Sequence, residues 1–208
     1  MFRIMCKSKI HEARVTGEEA RALKPKVVLV DEKNKPVIRI EKVGVYKIRK
    51  YGDPILRGRC RPVEKVGARE RKILQQMAKT MYRAQGIGLA ASQVGVDLEL
   101  VVVDLGDNNP LKLVNPLILS KEGESVLEEG CLSLPEITLK IKRSKRVMVE
   151  GWNEDGEIIK VEGEDLLAHV IQHEIDHLSG ILIIDHADQA ERMRLNTKLK
   201  LLERKSRL

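Results

Sequence analysis

His173-Glu174-Ile175-Asp176-His177 constrains this chain more than any other stretch of it. Two imidazoles four residues apart lie on one face of an α-helix, where both can reach a single cation. Glu174 falls beside them, close enough to act on a water at that cation without being a ligand. Solvated helices carry the same five-residue pattern by chance, so the rest of the chain must supply the remainder of a site. Catalytic sites of this kind normally use three protein ligands and keep one position open. Two histidines leave the set one short.

Three places offer the third ligand. A metzincin-type continuation fits His177-Leu178-Ser179-Gly180, but the ligand position then falls on Ile183, which cannot ligate. A gluzincin-type downstream acid would be Glu191 or Glu203, both in a basic terminal stretch without a supporting motif. Upstream, Glu128-Glu129-Gly130-Cys131-Leu132-Ser133-Leu134-Pro135 sets a cysteine in a Gly-containing segment, exposed by its backbone rather than packed by pattern. A lone cysteine is more often a small core residue. Joined to the histidine pair, its thiolate completes a Cys-His-His site with room for water. Cys6 and Cys60 lack comparable partners and read as structural. Three cysteines without a CxxC pair exclude a self-contained disulfide framework and point to a reducing compartment.

The surrounding chain reads as one cored domain with an appendage, since 208 residues are too few for two full-sized domains. It has no run of 18 apolar residues to span a membrane. Its opening, MFRIMCKSKIHEARV, lacks the continuous apolar core of a secretory signal. The net charge of +7 invites a nucleic-acid partner, whereas 2% aromatic residues argue against base-stacking modules. Ile73, Leu74, Met77 and Met81 recur at helical spacing between Arg69 and Gln85, and Gly86 is a natural stop. Strands are expected at residues 98–104, at LKLVNP, and at 137–141, 145–153 and 157–163. Glu154-Asp155-Gly156 reads as the hairpin turn between the last two. A second helix starts near Glu164-Asp165 and ends at Leu178, and a basic amphipathic helix closes the chain. In the first 44 residues, EEARAL reads as helical, VVLV and PVIRIEKV as extended, and DEKNK as the turn between them. Strands crowd between two helices instead of alternating with them, so the fold class is α+β.

Gly86-Ile87-Gly88-Leu89-Ala90-Ala91-Ser92-Gln93 has no GxGxxG and no P-loop lysine, so a phosphate cradle is a poor reading. Close backbone approach to a ligand, or simply a helix stop and a tight turn, fits better. In order and spacing, GIGLAASQ, EGCLS and HEIDH resemble the three signature motifs of peptide deformylases, over roughly Val45 to His186. The resemblance implies antiparallel sheets around the HExxH helix, and a divalent ion on Cys131, His173 and His177 with water in the fourth place. The family usually uses iron(II); zinc, nickel and cobalt are alternatives. The implied substrate is the N-formylmethionyl end of a nascent peptide. Glu174 would move the proton of the metal-bound water, and Gln93 with the Leu132 backbone N–H would hold the oxyanion. Gly86, Ile87 and Gly88 would bind the peptide main chain, and Leu166, His169 and Val170 would line the methionine pocket. Where some bacterial members have arginine, this chain has Thr138.

Residues 1–44 lie outside that resemblance. MFRIMCKSKIHEARVT resembles the opening of aspartate 1-decarboxylase and EEARALKPKVVLVDEKNKPV its closing segment. The pyruvoyl-forming Gly-Ser pair is missing, so Lys9 has no cofactor to serve and no decarboxylase activity is expected. The division is therefore 1–44 appendage, 45–186 catalytic domain and 187–208 basic helix. Formal charge divides as +5, −2 and +4 over these segments. The basic excess lies at the ends, which fits a cytoplasmic enzyme contacting ribosomal RNA through its terminal helix, with no membrane partner. An inactive ribosome-tethered binder and a metallopeptidase are the competing readings. Intact Cys131, Glu174 and Gln93 weigh against the first, and the missing downstream ligand against the second.

Overall fold

The computed structural model describes residues 29–30, 36–37 and 44–206. They fall into two compact units, a small one containing the first two strands and a larger one that opens at Val45. In the small unit, β1 (Leu29–Val30) and β2 (Pro36–Val37) pair antiparallel with Leu29 opposite Val37. These strands fall within the expected VVLV and PVIRIEKV runs. The expected EEARAL helix and the decarboxylase-like opening lie outside the described residues.

In the larger unit, a short 3-10 turn (Pro54–Arg57) precedes α1 (Ala68–Arg83), capped where Gly67 N–H donates to Glu70 Oε2 at 2.9 Å. Ile73, Leu74, Met77 and Met81 are all buried, as their spacing predicts. The chain then forms β3 (Gly88–Ala90), a 3-10 turn (Ala91–Val94), β4 (Leu100–Val103) and β5 (Leu111–Glu122). A hairpin of β6 (Ser125–Cys131) and β7 (Leu134–Arg143) follows, then β8 (Arg146–Trp152) and β9 (Ile158–Glu164). The helix α2 (Asp165–Leu178), a 3-10 turn (Ile183–Asp185) and α3 (Gln189–Ser206) complete it. All strand pairs are antiparallel, one sheet running β3-β4-β5-β8-β9 and the other being the β6-β7 hairpin alone. This is the α+β arrangement expected.

β4 explains where the helices sit. Its four residues are all buried, the signature of a strand covered on both faces. Leu100 and Val102 point into a cluster with Leu74, Met77 and Met81 of α1. Val101 and Val103 point the other way, into a cluster with Ala168, Val170 and Ile171 of α2. Period-two alternation therefore places the two helices on opposite faces of one sheet. The hairpin builds a third cluster, Leu134, Ile137, Leu139 and Ile141 packing with Leu182, Ile183 and Leu195. Pro116 cannot donate to a ladder, and the β5–β8 register shifts between Val114 and Leu117.

Two strands had no counterpart in the sequence reading. β3 falls in the stretch read as a turn, and β6 carries the segment in which Cys131 was expected to be exposed. Cys131 is instead 9% exposed, at the end of β6 in the hairpin cluster. The terminal helix forms as expected, but its amphipathic character is slight. Among its described residues only Leu195 is buried, with Leu199 and Leu202 partly so.

Candidate metal centre

α2 presents His169, His173 and His177 at four-residue spacing, so they form one stripe, and all three are buried. Opposite them, β6 presents Glu129 and Cys131, two residues apart and hence on the same face of the strand. The ligand atoms of Cys131, His173 and His177 lie within 4.8 Å of one another. Cys131 Sγ is 3.2 Å from His177 Nε2. Ligands about 2.0–2.3 Å from an ion at tetrahedral angles stand roughly 3.3–3.7 Å apart, so the set fits a metal with little closure. The donor chemistry fits as well. Burial alone would push the Cys131 thiol up, but the charges and hydrogen bonds of His177 and His173 outweigh it. The thiol is thereby held well below its ordinary range, in the thiolate form that binds metals. Gly180, just past the last turn, has φ +74, the left-handed value that glycine accepts without strain and that stops the helix.

Glu174 is 2% exposed, and its Oε2 has no hydrogen-bond partner. Burial pushes its carboxyl up to about 7, with the Cys131 and Glu129 charges adding and the His173 and His177 charges opposing. β3 passes directly against it. A Cβ at Gly88 would overlap Glu174 Oε1 and stand 2.8 Å from Val170 Cγ1, so only glycine lets strand and helix approach this closely.

Gln93, in the 3-10 turn after β3, is 1% exposed. Its Oε1 accepts from Ala90 N–H at 2.8 Å, which turns its NH2 group toward Cys131 Sγ (3.5 Å) and Ser133 Oγ (3.3 Å). Leu132 follows Cys131, and Lys50 Nζ donates to its carbonyl at 2.6 Å. Ile87 C=O accepts from Asp104 N–H, so that residue faces the sheet, and β3 is the edge strand. Val170 and His169 have no exposed surface and Leu166 is half-buried. Both ring nitrogens of His169 are engaged, Nδ1 with Glu129 Oε1 at 3.0 Å and Nε2 with Ser125 Oγ at 2.7 Å. A cavity of about 290 Å³ lies beside Cys131 and Leu132, walled by Ile48, Lys50, Ile137 and Thr138.

The fold thus gathers Cys131, His173, His177, Glu174 and Gln93 within one buried cluster. His186 is one-third exposed and bonded to Asp176. Sequence reasoning missed Glu129 and Arg143. Arg143 Nε and Nη2 donate to the two oxygens of Glu129, and its Nη1 donates to Asp176. The only signal for Glu129 was its alternation with Cys131, and for Arg143 there was none. Cys60 is 4% exposed and packs in the core as a structural residue. No helix of the described residues is long and apolar enough to cross a membrane.

Comparison with known proteins converges on one family. Residues 45–193 match the family described as Polypeptide deformylase. The peptide deformylase of Clostridium botulinum is 51% identical over 143 residues, 69% of this chain and 97% of that protein. The crystal structure of the Thermotoga maritima enzyme aligns with TM-score 0.67 at 47% identity, over 69% of this chain and 98% of that one. That of Synechococcus elongatus, in complex with actinonin, aligns with TM-score 0.70 at 37% identity over 74% and 87%. The chain belongs to the polypeptide deformylase family, metalloenzymes that remove the N-formyl group from newly made peptides.

Proposed function

We propose that Cys131 and the imidazoles of His173 and His177 hold one divalent ion, iron(II) with zinc, nickel or cobalt as alternatives, and that Glu174, Gln93 and Leu132 hydrolyse the formyl amide beside it. The observation that carries this reading is the convergence of three ligand atoms beside a buried carboxyl with a free oxygen. When bound, the ion supplies Lewis acidity, lowering the pKa of a water and polarising the formyl oxygen. Glu174 Oε2 takes a proton as the formyl carbon is attacked and passes it to the departing amine nitrogen. A carboxyl raised to about 7 by burial suits both halves of that transfer at neutral pH. The Gln93 amide, aimed by Ala90 N–H, and the Leu132 backbone N–H donate to the oxyanion. Loss of one such donor costs about 100- to 1,000-fold in rate. The peptide runs along the edge of β3, where Gly86, Ile87 and Gly88 offer main-chain groups. Leu166, His169 and Val170 form the wall that meets the methionine side chain.

Iron-loaded protein kept anaerobic is expected to release formate from a formyl-Met tripeptide. Protein carrying one ion per chain that releases none overturns the reading, and cleavage of an internal peptide bond instead makes the chain a metallopeptidase. Glu174→Ala should keep its ion and lose roughly 100- to 10,000-fold in turnover. Cys131→Ala should lose the ion itself. Actinonin, which the Synechococcus elongatus protein binds, should raise the melting temperature of the metal-loaded chain.

The ends of the chain complete the proposal. Residues 1–44 are an appendage of decarboxylase origin without that activity, and conversion of aspartate to β-alanine by the purified protein would refute this. Residues 187–208 bring the catalytic domain, 45–186, to the ribosome in the cytoplasm. Arg192, Arg194, Lys198, Lys200, Arg204 and Lys205 of α3 are all exposed, a surface suited to RNA phosphates. Ribosome binding should therefore weaken steeply with salt and in an Arg194→Glu/Lys200→Glu variant.

A further inference from the structure

Glu129 has no exposed surface, yet it is the most heavily bonded side chain near the metal centre. Its Oε1 lies 2.6 Å from Arg143 Nε and 3.0 Å from His169 Nδ1. Its Oε2 lies 3.1 Å from Arg143 Nη2 and 3.0 Å from His173 Nδ1. The Arg143 guanidinium has only N–H donors and meets both oxygens, so this carboxylate accepts on each of them. A carboxylate only accepts, so both imidazoles must carry their proton on Nδ1. Two consequences follow. The Nε2 lone pair of His173 is left for a cation, and Nε2 of His169 is left as an acceptor. Ser125 Oγ lies 2.7 Å from that Nε2 and can donate to it. The hydrogen bonds thus run in one direction, from Ser125 through His169 to Glu129.

The periodicities of two elements create this arrangement. On α2, His169 lies one turn before His173, which lies one turn before His177. On β6, Glu129 lies two residues before Cys131. The Glu129 carboxylate and the two imidazoles of His169 and His173 therefore form a layer directly beneath the layer of Cys131, His173 and His177. His173 belongs to both. Arg143 reaches Glu129 from β7, whereas His169 ties Glu129 to the helix that carries the histidine ligands.

We propose that His169, seated by Ser125, is a positioning residue for the metal centre: by clamping Glu129 to α2 it fixes the tautomer and ring orientation of His173 and the spacing between helix and strand ligands. The inference rests on the reading that Cys131, His173 and His177 hold the ion. Partners of this kind on a ligating histidine are typically worth ~10- to 100-fold in metal affinity.

The test is metal binding rather than turnover. Affinity for zinc is measured by competition with a chromophoric chelator, and the ligand field by the visible spectrum of the cobalt(II)-loaded protein. His169→Leu should weaken zinc binding by ~10- to 100-fold and shift or broaden the cobalt bands. His169→Gln, whose amide can still donate to Glu129, should recover most of both. Ser125→Ala should weaken binding in the same direction by a smaller factor, and it carries the test if His169→Leu fails to fold. Wild-type zinc affinity and an unchanged cobalt spectrum in His169→Leu, or in Ser125→Ala where only that variant folds, overturn the proposal. A change confined to KM for formyl-Met peptides would place His169 in the methionine pocket alone, and so also overturns it. Failure of the underlying reading looks different: Cys131→Ala would then bind zinc as tightly as the unaltered protein.

Discussion

At the scale of single residues, the centre depends on close approach and on burial. Gly88 is the sharpest case, because the space a side chain would need is already held by the Glu174 carboxyl. Gly88→Ala should leave the ligands in place but displace Glu174, costing on the order of 100-fold in kcat with metal content unchanged. A Gly88→Ala enzyme within twofold of wild-type turnover would refute this. Cys60 shows what burial does to a thiol packed in the core. Burial, with the Asp97 and Glu99 charges adding, pushes its thiol up to about 11, so it stays protonated near neutral pH. Iodoacetamide at pH 8 should therefore leave Cys60 unmodified in the native protein, as read by peptide mass mapping. Cys131 meets the opposite balance, because two imidazoles face it.

At the scale of elements, buried polar links decide how strands and helices meet. Arg143 is 7% exposed and joins β7 to β6 through Glu129 and to α2 through Asp176. Arg143→Met would leave the buried Glu129 charge without its guanidinium partner, at a cost of about 3–5 kcal/mol. For a chain of this size that is a fall in melting temperature of roughly 6–20 °C, measurable by thermal unfolding. The loop after β4 offers a pH test. Asp104 accepts from the Tyr82 hydroxyl and from the N–H groups of Gly106 (2.6 Å) and Asp107 (3.1 Å). Burial raises its carboxyl, but these bonds outweigh it and hold the pKa below the ordinary value. A depressed folded pKa contributes stability that is complete above the unfolded value near 4 and lost as pH falls through the folded one. Asp104→Asn should accordingly melt lower than wild type at pH 6, and the gap should close as pH drops below about 4.

At the scale of the molecule, the metal centre links two sheets: α2 packs on the five-stranded sheet, and Cys131 belongs to the hairpin. An ion bound only by the folded state adds RT ln(1 + [L]/Kd), about 2.7 kcal/mol at a hundredfold excess over Kd. Removing it with a chelator should lower the melting temperature by roughly 5–10 °C, and readdition should restore it. Much of this architecture was legible in the chain itself. The helical spacing of Ile73, Leu74, Met77 and Met81, the turn at Glu154-Asp155-Gly156 and the paired histidines are local patterns, and local geometry is set by neighbours within a few residues. β3 and β6 were not legible, because glycine-containing stretches carry little alternation to read. What the sequence by itself determined was that two imidazoles share one helical face with a carboxylate between them, and that a cysteine follows an acid two residues earlier. Only the tertiary structure decided that the strand stands over the helix, that Glu129 takes both His169 and His173, and that Arg143 completes the carboxylate. Those contacts join residues 14 to 44 positions apart. They depend on how whole faces pack, which no local pattern encodes.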